Sequence, residues 1–250
     1  MWTGNARLEP GWAVFIGTAG DHAPHRHHAV QVVLGMQGPV SVWAAARGEI
    51  AAAGAVIAAD CPHQLASGLA PLLLVYLERE SAAGRRLDAW CAGQTRVLSR
   101  AQVQALHDLL CEPSVIDAAR IAAVVEVILD RAAVTTGIAF HDARIASSIA
   151  GLGRPLPERL PLAQLAAAAG LSPSRYAHLF RAHTGMPLRP YLRWLRLQHA
   201  LGEIAAGATA TDAAHAAGFA DSAHLSRTFR ATFGVTPSVL MNPALSLTAA

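Results

Sequence analysis

The sequence contains no lysine, so all 20 of its basic side chains are arginine. Cysteine is also scarce, since only Cys61, Cys91 and Cys111 occur and they are widely spaced. Three scattered cysteines exclude a disulfide framework. A sparse, odd number of cysteines is typical of a reducing compartment, so we expect a cytoplasmic location.

Long apolar runs are missing as well. The longest, Leu72 to Leu77, is far shorter than the roughly 18 residues that a membrane span needs. The first ten residues lack the apolar segment of a secretion signal. There is no glycine-rich phosphate loop, no Gly-x-Ser-x-Gly motif and no pair of carboxylates placed for acid–base chemistry. We therefore expect no membrane partner and no enzyme.

The charge is distributed unevenly along the 250 residues. Residues 141–250 hold ten arginines and five acidic residues, a net charge of +5, whereas residues 1–140 hold ten arginines and twelve acidic residues, a net charge of −2. The length suits two domains of about 100–150 residues each. The basic half is the one suited to binding DNA phosphates.

A short pattern occurs twice in the basic half, over residues 170–185 and 218–234. Both copies begin with a glycine that permits a tight turn between two helices, and both end with Phe-Arg-Ala, two variable positions and a second glycine. A capping residue, Ser172 or Asp221, starts the second helix of each copy. Each copy therefore predicts a helix-turn-helix, whose second helix can enter the DNA major groove.

A longer helix, Leu188–Leu201, is predicted between the two copies. Its 14 residues would form a rod of roughly 21 Å, able to hold two recognition helices on one face of a duplex. The side chains expected to reach DNA bases are Ser174, Arg175, His178, Ser222, His224 and Arg227. Arg175 and Arg227 are best placed for bidentate contacts with guanine. Arg181 and Arg230 are expected to hold the DNA backbone or a neighbouring carboxylate.

Residues 139–241 resemble the DNA-binding domain of the AraC/XylS family of transcription regulators. The resembling segments are Leu162–Ala166, Leu171–Ser174, Leu179–Arg181, Thr184–Pro187, Tyr191–Arg193, Leu195–Leu197, Ala200, Gly218–Phe219, Ser226–Arg227, Phe229–Arg230 and Phe233–Pro237. Family members usually carry isoleucine where this chain has Ala210 and Ala213, which predicts a thinner core in the second helix-turn-helix. A basic residue is common where this chain has His178, so the base preference of that position stays open.

Residues 11 to about 80 are predicted to form short strands punctuated by glycine and proline, a pattern typical of a small barrel or sandwich. The predicted strands are Trp12–Ile16, Val30–Leu34, Val40–Ala44, Ala55–Ala58 and Leu72–Leu77. From about residue 81 the pattern turns helical, and a capping box at Ser99–Gln102 opens a helix through Leu110. Another helix, from Pro113 to Arg131, has a broad apolar face. That face suits dimerisation, as in the AraC family, or packing on the chain's own barrel.

Four histidines occur within residues 22–28, namely His22, His25, His27 and His28. Because alternate residues of a strand share a face, His25 and His27 would point the same way and His28 the opposite way. Gln31, four residues after His27, would lie on the same face as His25 and His27. We expect His22 and His28 at the surface.

His25, His27, Gln31 and a distant His63 resemble the metal motif of cupins, which usually have glutamate where this chain has Gln31. Two interpretations are open. In the first, His25, His27 and His63 bind a divalent metal such as zinc, with Gln31, Cys61 or water completing the shell. In the second, the same side chains line a pocket for an organic ligand.

The sequence therefore predicts an α+β protein. Residues 1–133 would form a cupin-like β-barrel with a helical segment that binds an effector and dimerises, residues 134–140 a linker, and residues 141–243 an all-α DNA-binding domain with two helix-turn-helix motifs. The resemblance implies a regulator controlled by a small molecule or metal, with no certain cofactor. Its expected partners are double-stranded DNA, a second copy of the chain and, for an activator, RNA polymerase. The alternative is a metal-dependent cupin enzyme that uses the helix-turn-helix to reach DNA.

Overall fold

The computed structural model describes residues 1–110, 116–129, 142–152, 156–157 and 160–249. The chain forms two compact units, the first made of Met1–Thr136 and Phe229–Ala250 and the second of Gly137–Thr228. The predicted linker, the helix start at Pro113 and Cys111 lie outside the described residues. In the part of the chain that is described, no helix combines the length and apolarity needed to cross a membrane.

The first unit is rich in β-sheet. Its strands are β1 (Thr3–Glu9), β2 (Trp12–Thr18), β3 (Ala29–Gly35), β4 (Val40–Ala44), β5 (Gly48–Ala52), β6 (Gly54–Ile57), β7 (His63–Leu65), β8 (Leu72–Glu78), β9 (Thr95–Val97) and β10 (Leu245–Ala249). A seven-stranded sheet has the order β10-β1-β2-β8-β3-β6-β9, and a three-stranded sheet the order β5-β4-β7. All five predicted strands are present, with ends that differ by one or two residues.

Strand β3 lies inside the larger sheet, between β8 and β6, and every one of its residues is buried. Its run of Val, Val and Leu supplies the apolar surface expected of such a strand. Gln31 interrupts this run, yet it is only 1% exposed. A buried amide costs free energy unless it is hydrogen-bonded, so Gln31 marks a polar site inside the sheet.

Three helices accompany the sheets, α1 (Ala82–Cys91), α2 (Arg100–Leu110) and α3 (Ala118–Leu129). The predicted capping box of α2 is present, because the Ser99 backbone amide donates to Gln102 Oε1 at 2.8 Å and the Gln102 amide donates to Ser99 Oγ at 3.3 Å. The apolar residues of α3, including Val124 and Ile128, are buried in the core of this unit. That face therefore packs on the chain's own core and is not available for dimerisation.

Strand β10, at the end of the chain, was not predicted. It pairs in parallel with β1, from Gly4 opposite Leu245 to Leu8 opposite Ala249. Leu245 is buried in the core of the first unit. The residues that follow the second helix-turn-helix copy therefore complete the sheet of the first unit.

The second unit is helical. It contains α4 (Ala143–Ala150), α5 (Leu162–Ala168), α6 (Pro173–Thr184), α7 (Leu188–Ala205) and α8 (Ala210–Ala216), together with the start of α9 (Ser222–Phe233). Both helix-turn-helix copies are thus present as helices at the predicted positions, and the α+β class is confirmed. Helix α7 has 18 residues and is about 27 Å long. It continues past Gly202 because Ile204 is buried, which offsets the helix penalty of about 1 kcal/mol for glycine.

Aromatic side chains fill the core of the first helix-turn-helix. The Phe180 ring lies 5.8 Å from the Tyr176 ring and 5.3 Å from the Tyr191 ring. In the second copy, α8 contributes small side chains to the core, since Ala213 and Ala214 are completely buried. The recognition helix of the second copy still buries large side chains, Leu225 and Phe229.

Removing the N-cap of the first recognition helix should destabilise the protein. The Ser172 side chain accepts a hydrogen bond from the Arg175 amide, so we expect Ser172→Ala to lower the free energy of unfolding by about 1 kcal/mol in urea denaturation. Ser174→Ala, an exposed change in the same turn, is the matched control. Equal effects of the two changes would contradict a capping role.

Candidate functional site

Three buried histidines come together in the first unit. The possible ligand nitrogens of His25, His27 and His63 all lie within 4.8 Å of one another, and we call these three residues the histidine cluster. His27 precedes β3 and His63 begins β7. His25 and His63 form an isolated β-bridge, in which each backbone amide donates to the carbonyl of the other at 2.9 Å. Backbone pairing therefore brings these distant residues together.

Backbone carbonyls set the tautomer of the histidine cluster. The Nδ1 atom of each of its imidazoles lies 2.9 to 3.0 Å from the carbonyl oxygen of a residue two positions away along the chain. Because a carbonyl only accepts hydrogen bonds, each Nδ1 carries a proton. The neutral ring then has its lone pair on Nε2, which is the arrangement found in metal-binding histidines.

Gln31 completes the polar surroundings. Its side-chain oxygen lies 2.9 Å from Nε2 of His27 and 3.0 Å from Nε2 of His63. An amide oxygen and two unprotonated nitrogens are all acceptors, so they repel one another at these distances. The repulsion is relieved if the amide turns its NH2 group toward the rings, or if a cation lies among the three atoms.

Burial keeps the histidine cluster neutral. It lowers the pKa of His25 to about 3, with a further contribution from the charge of His27. Burial also lowers the pKa of His27 and holds the pKa of His63 well below its ordinary value, assisted by His27 and His25. All three imidazoles are therefore deprotonated at neutral pH, the state required of a metal ligand.

The donor set fits a transition metal. Three neutral imidazoles with an adjacent amide oxygen suit zinc, copper or nickel, whereas calcium and magnesium prefer sites built mainly from carboxylate oxygens. The sequence offers Cys61 as a further ligand for this metal site. In the described part of the chain, however, the candidate ligand group contains only histidines, and the Cys61 sulfur lies 3.9 Å from Thr95 Oγ1.

The expectation that His22 and His28 lie at the surface is wrong. His28 is only 1% exposed, and its two ring nitrogens lie 2.8 Å from carboxylate oxygens of Asp60 and Glu80. Burial alone would lower the pKa of His28, but these hydrogen bonds and charges outweigh it and raise the pKa to about 9. His22 is buried too, and its Nε2 accepts from the Leu65 amide.

Two aromatic residues that sequence analysis did not single out border the histidine cluster. The Tyr76 ring lies 5.3 Å from the His27 ring, and Tyr76 pairs with Gln31 across β3 and β8. The alternation of side chains in β8 could have identified Tyr76 once the pairing was known. The Phe233 ring lies 6.3 Å from the His27 ring, and no local pattern connects these two distant residues.

The residues predicted to bind DNA occupy α6 and α9. Most are exposed, namely Ser174, Arg175, His178, Arg181, His224, Arg227 and Arg230. Ser222 is half-buried, and the His224 ring lies 5.2 Å from the Phe219 ring, which restricts its motion. The exposed side chains are available to a ligand as large as a duplex.

Comparison with known protein families assigns the C-terminal part of the chain. Residues 165–242 match the family described as a helix-turn-helix domain. The resemblance to AraC-type regulators is thereby confirmed, and the chain carries an AraC-type DNA-binding domain at its C-terminal end. Domains of this type belong to transcription regulators, which favours a regulator over a DNA-targeted cupin enzyme. A comparison with curated protein sequences finds no match.

Solved structures with a similar fold include ToxT from Vibrio cholerae. One ToxT structure, at 1.65 Å resolution, aligns with a TM-score of 0.59 and 10% sequence identity over 92% of this chain and 98% of ToxT. A second, of ToxT bound to an unsaturated fatty acid, aligns with a TM-score of 0.58 and 11% identity over 92% of this chain and 94% of ToxT. At this level of identity the likeness concerns the fold.

The stability of the metal-free protein should depend on pH through His28. Its pKa is raised from the ordinary 6.5 to about 9, so its contribution is complete below 6.5 and is lost as the pH rises through 9. At 1.36 kcal/mol for each pKa unit, the His28 contribution is about 3 kcal/mol. It is read as the difference between the parent and a variant without His28, because the lowered pKa values of His25, His27 and His63 favour the opposite trend near pH 6. Urea denaturation at pH 6 and pH 9.5, with a chelator present, would measure it. The His28→Gln variant should show a smaller decline, and an equal decline would contradict this role.

Proposed function

We propose that this chain is a metal-responsive, AraC-type transcription regulator. Its sheet-rich unit binds a divalent transition metal, zinc being the best match, through His25, His27 and His63. Its two helix-turn-helix motifs bind DNA, and metal occupancy changes that binding. The observation that carries the metal assignment is the convergence of three buried, neutral imidazoles whose Nδ1 protons are all held by backbone carbonyls.

The chemistry of the histidine cluster favours a sensing role. Three histidine ligands leave at least one coordination position for Gln31, water or a small molecule. The imidazoles already have low pKa values, so binding does not compete with protons at neutral pH. The site contains neutral donors in place of thiolates, which suits a metal that exchanges with its surroundings. When bound, the metal would supply positive charge and fixed geometry at this point of the sheet.

An organic effector is the second candidate. The solved structure of ToxT with an unsaturated fatty acid shows that a protein of this fold binds such a molecule. For this chain, an organic ligand would enter the same polar region and use the imidazoles as hydrogen-bond partners. We favour the metal because one nitrogen of each histidine lies within 4.8 Å of the others, which makes the group a candidate for holding a single ion.

DNA binding is proposed to use both recognition helices. Ser174, Arg175 and His178 of α6 would contact base edges, as would Ser222, His224 and Arg227 of α9. Arg181 and Arg230 would hold phosphates, since in the described residues neither forms an ion pair within the chain. The net charge of +5 in residues 141–250 favours approach to the duplex.

Several further properties belong to this proposal. We infer that the sheet-rich unit is cupin-like and that the regulator acts in the cytoplasm as a homodimer on paired DNA sites. An activator of this type would contact RNA polymerase. The apolar face of α3 is buried within the chain, so a dimer must use another surface, and sedimentation of the full chain would test for it.

Metal content is the direct test of the metal assignment. The full chain, purified without a histidine tag and supplied with zinc, should hold about one equivalent. His63→Ala should hold almost none, because it removes one of the three imidazoles. His107→Ala is the control, since His107 lies in α2 and bonds to the Gly35 carbonyl outside the histidine cluster.

No bound metal in a folded parent protein would contradict this proposal and favour an organic effector. Equal metal content in the parent and the His63→Ala variant would place the metal elsewhere. Circular dichroism of each variant would establish that the loss of metal does not follow from unfolding, and His25→Ala offers a second ligand change.

Base recognition is tested with a pair of variants on one helix. Arg227 and Arg230 are both exposed on α9, but we assign Arg227 to a guanine and Arg230 to a phosphate. Arg227→Ala should cost about 1–3 kcal/mol on the preferred duplex and relax preference at one base pair. Arg230→Ala should weaken binding to all sequences and reduce the salt dependence by about one counterion. Selection of duplexes from a random pool would measure both, and a uniform loss with Arg227→Ala would reassign it to a phosphate.

A further inference from the structure

The C-terminal end of α9 forms part of the wall around the histidine cluster. Gly234, which follows the helix, accepts a hydrogen bond at its carbonyl from the Ala23 amide at 2.9 Å. A Cβ atom added to Gly234 would lie 2.8 Å from Nδ1 of His25 and 2.5 Å from the carbonyl oxygen of Ala23. All of these residues belong to the first unit.

The two copies of the repeat differ at this point. Gly185 ends α6 with a left-handed φ of 83° and is exposed, whereas Gly234 ends α9 with a φ of 74° and is buried. The sequence requirement for glycine is therefore the same, but only the second copy places its glycine against the histidines. The contact is a property of this chain's packing and not of the repeat itself.

The residues after Gly234 are attached to the sheet of the first unit. The Gly4 amide donates to the Ala244 carbonyl at 3.0 Å, and β10 then pairs with β1. Leu240 and Leu247 pack against the core of the first unit. The end of α9 is thus attached to the histidine cluster on one side and to the sheet on the other. A change in the shape of the cluster would therefore shift the end of this helix.

We propose that the end of α9 couples metal binding at the histidine cluster to DNA binding by the second recognition helix. The inference rests on the proposed metal site and goes beyond it, because a metal could occupy three histidines without contacting any recognition element. Here one helix carries the predicted base contacts Ser222, His224 and Arg227, and Gly234, which follows it, lies beside His25.

The coupling path consists of two hydrogen bonds. The Nδ1–H of His25 donates to the Ala23 carbonyl at 3.0 Å, and the Ala23 amide donates to the Gly234 carbonyl. A zinc ion holds its nitrogen ligands at about 2.0–2.1 Å, so binding fixes the orientation of the His25 ring. Fixing that ring fixes the Ala23 carbonyl and so restrains the backbone of Ala23, whose amide in turn restrains the end of α9. Coupling of this kind must act equally in both directions.

The first test is zinc affinity of the full chain, measured by competition with a chromophoric chelator. Gly234→Ala should bind zinc at least about tenfold more weakly than the parent, because its methyl group displaces His25 or Ala23. Gly218→Ala is the matched control: Gly218 has a φ of 75°, and an added Cβ would meet only the flexible Arg196 side chain, at 3.4 Å or more. Both changes impose similar backbone strain, so the control should keep the parent's zinc affinity.

The second test needs no variant. A duplex selected from a random pool by the full chain would be titrated with and without zinc, and zinc would be titrated with and without that duplex. We expect zinc to change the DNA affinity by about fivefold or more, and DNA to change the zinc affinity by the same factor.

The outcomes separate the two proposals. A parent protein that binds no zinc overturns the metal site and the coupling together. A parent that binds zinc, with the same affinity in Gly234→Ala, overturns the coupling through α9 and leaves the metal site standing. Zinc binding without any effect on DNA affinity would likewise overturn the coupling and leave the metal site standing. Reciprocal coupling that Gly234→Ala weakens and Gly218→Ala preserves would support the inference.

Discussion

The polar site of the first unit depends on hydrogen bonds from imidazole Nδ1–H groups to backbone carbonyls. They allow three histidines to be buried, because each proton has a partner, and they leave the lone pair of every neutral ring on Nε2. Without them, burial would leave unpaired donors in the core, at a cost of several kcal/mol. The cluster is therefore stable as a neutral group, and that neutrality is also what a metal requires.

His28, the residue after His27, lies on the opposite side of the backbone just before β3 begins. His27 and His28 are adjacent, yet burial leaves His27 neutral while Asp60 and Glu80 favour a charged His28. Strand alternation alone separates the two environments. One side of the backbone thus carries a neutral candidate ligand and the other a buried histidine paired with two carboxylates. Consecutive residues therefore provide a candidate binding group and a structural anchor.

Much of this architecture was predictable from the sequence, and the exceptions have physical causes. Strands with continuous apolar runs, such as β3 and β8, and helices with caps, such as α6, follow local rules. Strand β1 was missed because Asn5, Arg7 and Glu9 make it too polar for an apolar pattern. The sequence grouped His25 with His63 only through the resemblance to cupins, because no local pattern connects residues so far apart in the chain. The contact of Gly234 with Ala23 depends on long-range packing, which no local pattern encodes.

The parallel pairing of β10 with β1 bears on how the chain can be divided. A fragment that ends before the helix-turn-helix motifs would lose β10, and the hydrogen-bonding groups along one side of β1 would have no partner. Such an open edge is a template for pairing with other chains. A fragment of this kind would expose β1 as the edge strand in place of β10, which holds that position in the intact protein, and it would also lose Leu245 from its core.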